Sequence, residues 1–505
     1  MSPTFRSLHV YNYRLWASGA IVSNTGTWMQ RVAQDWLVLT VLTANSGTAV
    51  GITTGLQFAP ALLLSPAAGA LADRMNRRKL LVATQTASGA LALGLGLLVL
   101  TGRAQLWQVY AFALLLGVVS AVDGPARQAF VSELVPTPDL PNAVGLNSAS
   151  FHAGRLIGPG IAGLLIHWFG TGPVFLINAV SFTAVVVSLL RMRIGELRAV
   201  PRPQRGGHPV RDGVAYVRGR ADIVLTLVII GMIGTFGLNF QLTTALMARL
   251  VFHKGAGEYG LLGSIMAIGS LAGALLAARR EHPRLRLVIG AAIAFGVFTT
   301  IAALMPTYEL FAISLIPVGL SSLTLMTAAN SSVQMSTEPA MRGRVMSLYI
   351  AVFMGGAPLG SPVIGWVGER FGARWTILIG GIAALATAAA ALGWLVLHKG
   401  VRVRYQRSGL VVTPPGSPEP EALESGSPEP TSPEPASAPA RSRELIREDA
   451  GTGASLDARP GEDVADVNRR RAGTTRPRPA SAGRGTDERS RPRPRYGVGE
   501  GSARR

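Results

Sequence analysis

The sequence predicts an all-α membrane protein, with twelve transmembrane helices in two pseudo-symmetric six-helix bundles and a disordered C-terminal tail. Composition is the first observation behind this fold class. Of the 505 residues, 48% are hydrophobic and 15% are charged, whereas a soluble globular chain carries about 25% charged residues. The second observation is a series of long apolar segments separated by short polar loops. The third is an internal repeat, in which later segments follow the pattern of earlier ones.

The apolar segments are long enough to cross a bilayer, whose core of about 30 Å requires roughly 20 apolar residues in a helix. A cluster of charged residues at 69–79, in the sequence GALADRMNRRK, separates the second segment from the third. Few soluble folds tolerate that layout, so this stretch is predicted to be a loop at a membrane face. The predicted spans are 15–42, 48–71, 80–100, 106–131, 142–168, 172–190, 223–248, 258–278, 285–305, 308–334, 344–367 and 373–397.

Lysine and arginine residues are concentrated in alternate loops. The loop at 69–79 and the linker at 191–221 hold many of them, whereas the loops on the opposite side hold few. By the positive-inside rule, both termini are predicted to be cytoplasmic, in a multi-pass protein of the plasma membrane. Topology also accounts for much of the net charge of +20. The lipid bilayer is therefore the expected partner, and no nucleic-acid partner is predicted.

A shift of about 202 residues superposes spans four to six on spans ten to twelve. The aligned pairs include Gly117 with Gly319, Gly158 with Gly360, and Phe169-Gly170 with Phe371-Gly372. Parallel halves of this kind enclose a central cavity that can open alternately to each side, and a monomer is the expected state. The predicted parts are two six-helix bundles at 1–190 and 222–398, a cytoplasmic linker at 191–221 and a disordered cytoplasmic tail at 399–505.

The residue types exclude several kinds of chemistry. The chain has no cysteine, and its seven histidines form no metal-ligand spacing, so no metal site or disulfide is expected. No phosphate-binding P-loop motif occurs, which argues against ATP as an energy source. A membrane-embedded transferase would need converging acidic, histidine or metal-binding residues, and no such cluster is present. We expect no enzyme activity and no cofactor.

Residues 69–79 resemble the loop between helices two and three of the major facilitator superfamily, and the resemblance extends over nearly all of residues 5–398. It implies the major facilitator fold and a transport function. Asp73 ends the second span, where its carboxylate could pair with an arginine or face the first turn of a neighbouring helix. The alternative for the arginines is that they only obey the positive-inside rule. The predicted gating residues are Gly69, Asp73, Arg74, Arg77 and Arg78.

Three other stretches also resemble parts of this superfamily. In the fifth span, Gly154, Gly158, Pro159 and Gly163 resemble a glycine-proline motif of antiporters, although close helix packing would also explain the glycines. The stretches WMQRVAQDWLVL and PARQAFVSELVP resemble the subgroup of enterobactin exporters and bacterial drug exporters. This resemblance implies export of a small amphipathic molecule, such as a drug or a siderophore, by proton antiport.

Charged residues inside the predicted spans are the candidates for proton coupling. Arg31 with Asp35, and Asp123 with Arg127, lie four residues apart, so each pair can neutralise itself on one helix face. A carboxylate that loses its arginine in one conformation could take up a proton and couple proton influx to substrate exit. Arg155 lies about halfway along its span, where an arginine should face a cavity or a carboxylate. A structural ion pair is the alternative for both acid–base pairs.

Sparse polar and aromatic residues on otherwise apolar spans are candidates for the lining of a substrate cavity, because such walls suit an amphipathic ligand. Interhelical hydrogen bonding is the alternative role for each of them. The candidates are Asn24, Trp28, Gln34, Asn147, Asn239, Gln241 and Asn330. An uptake transporter, a proton-independent facilitator of a small metabolite, and a non-transporting membrane receptor remain alternative functions.

Overall fold

The computed structural model describes residues 3–198, 209–278, 285–339, 341–399, 402–406 and 409–413. Within these ranges, the side chains of residues 65–67, 69, 70, 72 and 73 in the second helix, among others, lie outside the description. The centre of the predicted linker, 199–208, and most of the predicted tail, 414–505, also lie outside the described residues. Two short antiparallel strands, β1 (Arg402–Gln406) and β2 (Gly409–Thr413), occupy the beginning of the segment for which disorder was predicted.

The rest of the described chain is helical. The helices are α1 (Tyr11–Trp36), α2 (Gly47–Arg74), α3 (Arg77–Leu100), α4 (Leu106–Leu134), α5 (Leu140–Phe169), α6 (Gly172–Leu190), α7 (Pro209–Arg218), α8 (Ala221–Phe236), α9 (Phe240–Leu246), α10 (Ala256–Ala278), α11 (Leu285–Leu304), α12 (Tyr308–Ser336), α13 (Arg342–Phe371) and α14 (Ala373–Lys399). A π-helical turn extends α1 over Leu37–Leu42, and another extends α9 over Met247–Val251.

Ten helical segments in the described part of the chain are long and apolar enough to cross a membrane, counting α8, α9 and the following turn as one segment. Two further long helices, α1 and α5, are not among them. Both contain charged residues well inside the helix, Arg31 and Asp35 in α1 and Arg155 in α5. These polar positions lower the mean hydropathy and mark the two helices as candidates for lining a cavity.

Local sequence signals explain where several helices begin and end. The side chains of Ser46, Asn76 and Thr307 accept hydrogen bonds from backbone N–H groups in the first turns of α2, α3 and α12. Gly170 and Gly372 end α5 and α13 with φ of 77° and 95°, values that favour glycine. The boundaries of α12 and α13 follow those of α4 and α5 by about 202 residues, the offset of the sequence repeat.

The helices form two groups that meet along two contacts. In the first group, α1 packs on α5 and α6, and α3 packs on α4 and α6. In the second group, α10 packs on α12, α11 on α14, and α13 on α8. The groups meet where α2 packs on α13 and where α5 packs on α10. We call the end of the molecule that holds residues 43–46, 252–255 and 372 the closed end, and the end that holds residues 75–76 and 191–198 the basic end.

Candidate functional site

A cavity of about 410 Å³ lies between the two helix groups. Its lining is mostly apolar and aromatic, with a few polar groups, as in typical sites for small organic ligands. α1, α2 and α5 contribute on one side, and the segment 238–244, α10, α12 and α13 contribute on the other. Residues that line it include Trp28, Arg31, Phe58, Phe151, Arg155, Asn239, Gln241, Tyr259, Met326 and Phe353.

Two arginines gather around the Trp28 indole on one wall of the cavity. The Arg31 guanidinium carbon lies 4.8 Å from the centre of the Trp28 ring, and that of Arg155 lies 5.6 Å from it. Arg31 also lies 5.2 Å from the ring centre of Phe58, and Phe151 packs edge-on to Trp28 at 5.7 Å. Cation–π contacts at these distances stabilise the guanidinium groups without neutralising them.

Arg31 and Asp35 do not form the ion pair that their spacing suggested. None of the ion pairs among the described residues includes Arg31, Asp35 or Arg155. Asp35 is 5% exposed, and one of its carboxylate oxygens lies 3.5 Å from the hydroxyl oxygen of Tyr259. Tyr259 belongs to the other helix group and stacks on Trp36 at 5.7 Å. Instead of Arg31, Asp35 therefore contacts a side chain across the interface.

Asp123 and Arg127 do form an ion pair, with 3.0 Å between Oδ2 and Nε. The other carboxylate oxygen of Asp123 accepts hydrogen bonds from the Thr84 hydroxyl and the Gln85 amide, both at 2.7 Å. The Arg127 guanidinium also lies over the Trp16 ring at 5.3 Å. This network joins α3 to α4 inside one helix group, away from the cavity lining.

The arginines of the 69–79 loop contact their own helix group. Arg77 forms an ion pair with Glu133 at 2.7 Å, and Arg78 donates hydrogen bonds to the backbone oxygens of Leu189 and Leu190. These contacts connect the start of α3 to the ends of α4 and α6. Arg74 ends α2 and is exposed. The side chain of Asp73 and the surroundings of Gly69 lie outside the described part of the structure.

The glycine-proline motif of α5 faces two helices. A Cβ at Gly154 or Gly158 would press on the backbone of α1 between Asn24 and Met29, within the same group. Pro159 and Gly163 instead face α10, where Gly163 lies against Ala256. One turn along, the Ser264 hydroxyl donates to the Leu156 backbone oxygen at 2.7 Å. The motif therefore packs one group internally and also forms part of the contact between the groups.

At the closed end, Glu369 of α13 lies against the first turn of α2. Its carboxylate accepts hydrogen bonds from the Ser46 hydroxyl, from the Thr48 backbone N–H at 3.2 Å and from the Thr48 hydroxyl at 2.6 Å. A carboxylate at a helix N-terminus is favoured by the unpaired N–H groups and the helix dipole. Beside it, Arg249 donates to the Asn45 side chain at 3.2 Å. We call Ser46, Thr48 and Glu369 the closed-end contact.

The α2–α13 contact continues along the helices from the closed end. Gly47 lies opposite Gly365, and Leu62 lies beside Gly355, near the middle of both helices. The two groups therefore touch along α2 and α13 from the closed end to about the middle of these helices.

The structure brings only some of the predicted cavity residues together. Trp28, Asn239 and Gln241 line the cavity, whereas Asn24, Gln34, Asn147 and Asn330 are not among the residues that line it. Asn24 donates to the Ser150 hydroxyl, and Asn330 accepts from Gln334 within its own helix. Sequence reasoning missed Phe58, Phe151, Tyr259 and Glu369. Glu369 had a signal, because it is an isolated acid at the end of an apolar span.

Comparison with known proteins identifies the family. Residues 3–402 match the family described as "Transmembrane secretion effector", a branch of the major facilitator superfamily. The chain is 25% identical over 372 residues to the staphyloferrin A transporter of Staphylococcus aureus, which covers 71% of this chain and 90% of that protein. It is 27% identical over 345 residues to the enterobactin exporter of Citrobacter koseri. That alignment covers 66% of this chain and 78% of the exporter.

Solved transporter structures share the fold. A bacterial homologue of the human lysosomal transporter Spinster, in an inward-facing and unoccupied conformation, has a TM-score of 0.60 at 14% identity and covers 79% of this chain and 96% of that one. A D-xylose–proton symporter has a TM-score of 0.58 at 14% identity, and the alignment covers 76% of this chain and 96% of the symporter. The predicted resemblance to the superfamily and to its enterobactin exporter subgroup is confirmed. The chain belongs to the transmembrane secretion effector family of the major facilitator superfamily, and it is a multi-pass membrane transporter rather than an enzyme.

Proposed function

We propose that the protein exports a small amphipathic organic molecule, of the drug or siderophore kind, by proton antiport and alternating access. The observation behind this proposal is the cavity between the two helix groups, which are joined at the closed end by the contact of Glu369 with Ser46 and Thr48. A cavity reached from one side at a time is what alternating access requires. The two relatives, a staphyloferrin A transporter and an enterobactin exporter, support the substrate class.

The proposal includes a topology. Twelve helical segments cross the plasma membrane, with α1 and α5 completing the ten that are apolar enough by themselves. The basic end faces the cytoplasm because its loops hold most of the lysine and arginine residues. Both termini are then cytoplasmic, and the protein works as a monomer in the bilayer. In this orientation the closed end is the outer end, and the cavity receives its substrate from the cytoplasm.

Asp35 is the residue that we propose for proton coupling. It is buried, it has no ion-pair partner among the described residues, and it meets Tyr259 across the interface between the groups. Relative movement of the groups would separate Asp35 from Tyr259 and change how well water reaches the carboxylate. A carboxylate whose surroundings differ between two conformations binds its proton differently in each. The Asp123 carboxylate accepts hydrogen bonds from three side chains of its own helix group. Relative movement of the two groups would therefore leave its surroundings unchanged.

Transport by purified protein in liposomes tests the coupling. The vesicles contain enterobactin or staphyloferrin A and an internal pH dye, and the outside is made acidic. We expect wild type to release substrate while protons enter, and Asp35→Asn to lose the substrate-dependent proton influx because the amide cannot exchange a proton. Substrate release that ignores both the gradient and the substitution would contradict antiport and leave a facilitator. Substrate movement only in the opposite direction would indicate an uptake transporter. Substrate binding without any transport would indicate a receptor.

The Asp123–Arg127 pair provides the matched comparison. Asp123→Asn should keep substrate-dependent proton influx per folded molecule, because this pair joins α3 to α4 and lies outside the cavity. It should lower thermal stability, since removing one partner of a buried ion pair costs about 3–5 kcal/mol. Melting of the detergent-purified protein, followed by tryptophan fluorescence, measures this effect. Unchanged stability together with lost coupling would transfer the proton-coupling role from Asp35 to Asp123.

A further inference from the structure

The charged groups of the cavity are of one sign. Among the described residues that line it, Arg31 and Arg155 are cationic and none is acidic. The nearest acid named above, Asp35, is not part of the lining and lies behind Tyr259. A cationic site that a protein holds away from water, with no carboxylate in ion-pair contact with it, is costly unless a ligand supplies the opposite charge.

Hydrogen-bond donors in the cavity wall are also unused. The Nε atom of Arg31 and the Nε2 atom of Gln241 are both buried, and neither has a hydrogen-bond partner in the described part of the chain. Both atoms donate and cannot accept. A buried donor without an acceptor carries a desolvation cost that an acceptor on a ligand would remove. The lining also has an unused acceptor, the Oδ1 atom of Asn239, so a ligand that places an acceptor at Arg31 and Gln241 would remove the desolvation cost of two of the three unpaired groups.

Aromatic rings surround this cationic position. Trp28 lies beside both guanidinium groups, Phe58 lies beside Arg31, and Phe151 packs on Trp28. Rings of this kind offer a flat apolar surface for the body of a ligand, and an arginine can stack on one ring while its N–H groups bind an anion. The planar guanidinium matches the two oxygens of a carboxylate or of a deprotonated catechol.

We propose that the transported molecule is an acid with an aromatic or other flat apolar body, bound with its anionic group on Arg155 and Arg31 and its body against Trp28, Phe58 and Phe151. This inference rests on the proposed transport function and narrows its substrate class to anions. The cavity discriminates against cationic amphipaths, because two arginines without an acidic partner in the lining repel them.

Equilibrium binding to the purified full-length protein tests the proposal with two probes of equal size, radiolabelled 1-naphthoate and its neutral amide, 1-naphthamide. We expect wild type to prefer the acid by about tenfold or more, the factor expected for a hydrogen bond to a charged group. Arg155→Gln and Arg31→Gln should each lower this preference, and the double variant should abolish it. The affinity for naphthamide should fall much less than the affinity for the acid, because the rings remain and only a hydrogen bond to a neutral carbonyl is lost. Naphthamide binding that persists also shows that the variants are folded.

Conservative variants separate charge from shape. Arg155→Lys and Arg31→Lys should keep part of the preference, since the charge remains while the two-pronged geometry is lost. Equal affinity of wild type for the two probes, including no measurable binding of either, would overturn the proposal. So would a preference for the acid that survives in the double glutamine variant. The binding measurement needs neither a proton gradient nor a direction of transport, so its outcome is independent of whether Asp35 couples protons.

Discussion

Joining Ser46 to Glu369 by a covalent bridge should stop transport completely. These residues hold α2 and α13 together at the closed end, and any cycle that opens this end must separate them. The double variant Ser46→Cys, Glu369→Cys offers two thiols in a protein that has no cysteine of its own. A short bifunctional methanethiosulfonate reagent should reduce substrate flux in liposomes to that of protein-free vesicles, and dithiothreitol should restore it.

The two single-cysteine variants treated with the same reagent are the controls, because they receive the modification without the bridge. Both should keep most of their flux. Transport that continues at full rate in the bridged protein, with bridging verified by mass spectrometry, would show that the closed end does not open during the cycle. In that case the cavity would serve one side of the membrane only, and alternating access would be wrong for this protein.

Replacing Gly260 with alanine should shift the protein away from the conformation described above. Gly260 of α10 packs so closely on α5 that a Cβ there would overlap the carbonyl oxygen of Pro159, which is backbone and cannot turn aside. Overpacking of this kind costs about 1–3 kcal/mol. Since each 1.4 kcal/mol is a factor of about ten, the population with the closed end shut should fall by roughly five- to hundred-fold. Transport should fall with it, because that state must form in each cycle.

Gly257, one turn earlier on α10, provides the matched control for Gly260. No described atom lies within 4 Å of a Cβ built on Gly257, so Gly257→Ala should leave transport and conformation unchanged. A pair of spin labels across α5 and α10 at the closed end, measured by pulsed electron resonance, should show a longer distance in Gly260→Ala than in Gly257→Ala. Equal distances and equal transport in the two variants would contradict a role for the α5–α10 contact in closing this end.

Much of the fold was accessible from sequence because membrane helices obey simple rules of length, charge and repetition. The repeat is clearest at Gly170 and Gly372, each of which ends a helix with positive φ after a phenylalanine. Hydropathy was less informative for α1 and α5, whose charged residues reduce the apolar signal. Both were nevertheless predicted as apolar spans, at 15–42 and 142–168, and the repeat supported the prediction for α5. The start of the tail, where β1 and β2 pair, was missed because strand pairing at such a short segment leaves little trace in composition.

The site was only partly predictable, because spacing along one helix says nothing about the neighbouring helix. Arg31 and Asp35 have the spacing of an ion pair, yet Arg31 lies against Trp28 and Phe58 while Asp35 lies near Tyr259. Whether the ion pair or these other contacts form depends on where the other helices lie. Packing between the groups fixes those positions. Phe58 and Phe151 could not be separated from core residues by type, since an apolar ring that lines a cavity resembles one that fills a core. Arg155 was predicted to need a cavity or a carboxylate, and it lies at the cavity.

The two arginines around Trp28 would also make the transporter sensitive to voltage. An empty cavity with excess positive charge is drawn toward the negative interior of a cell, so the membrane potential would return the unloaded protein to the state that opens toward the cytoplasm. Each elementary charge that moves through 100 mV contributes about 2.3 kcal/mol. A monoanion in the cavity would cancel one of the two arginine charges, so the outward step of the loaded protein would meet less opposition from the potential. The membrane potential would thus favour the return of the empty carrier more strongly than it opposes the outward step of the loaded one.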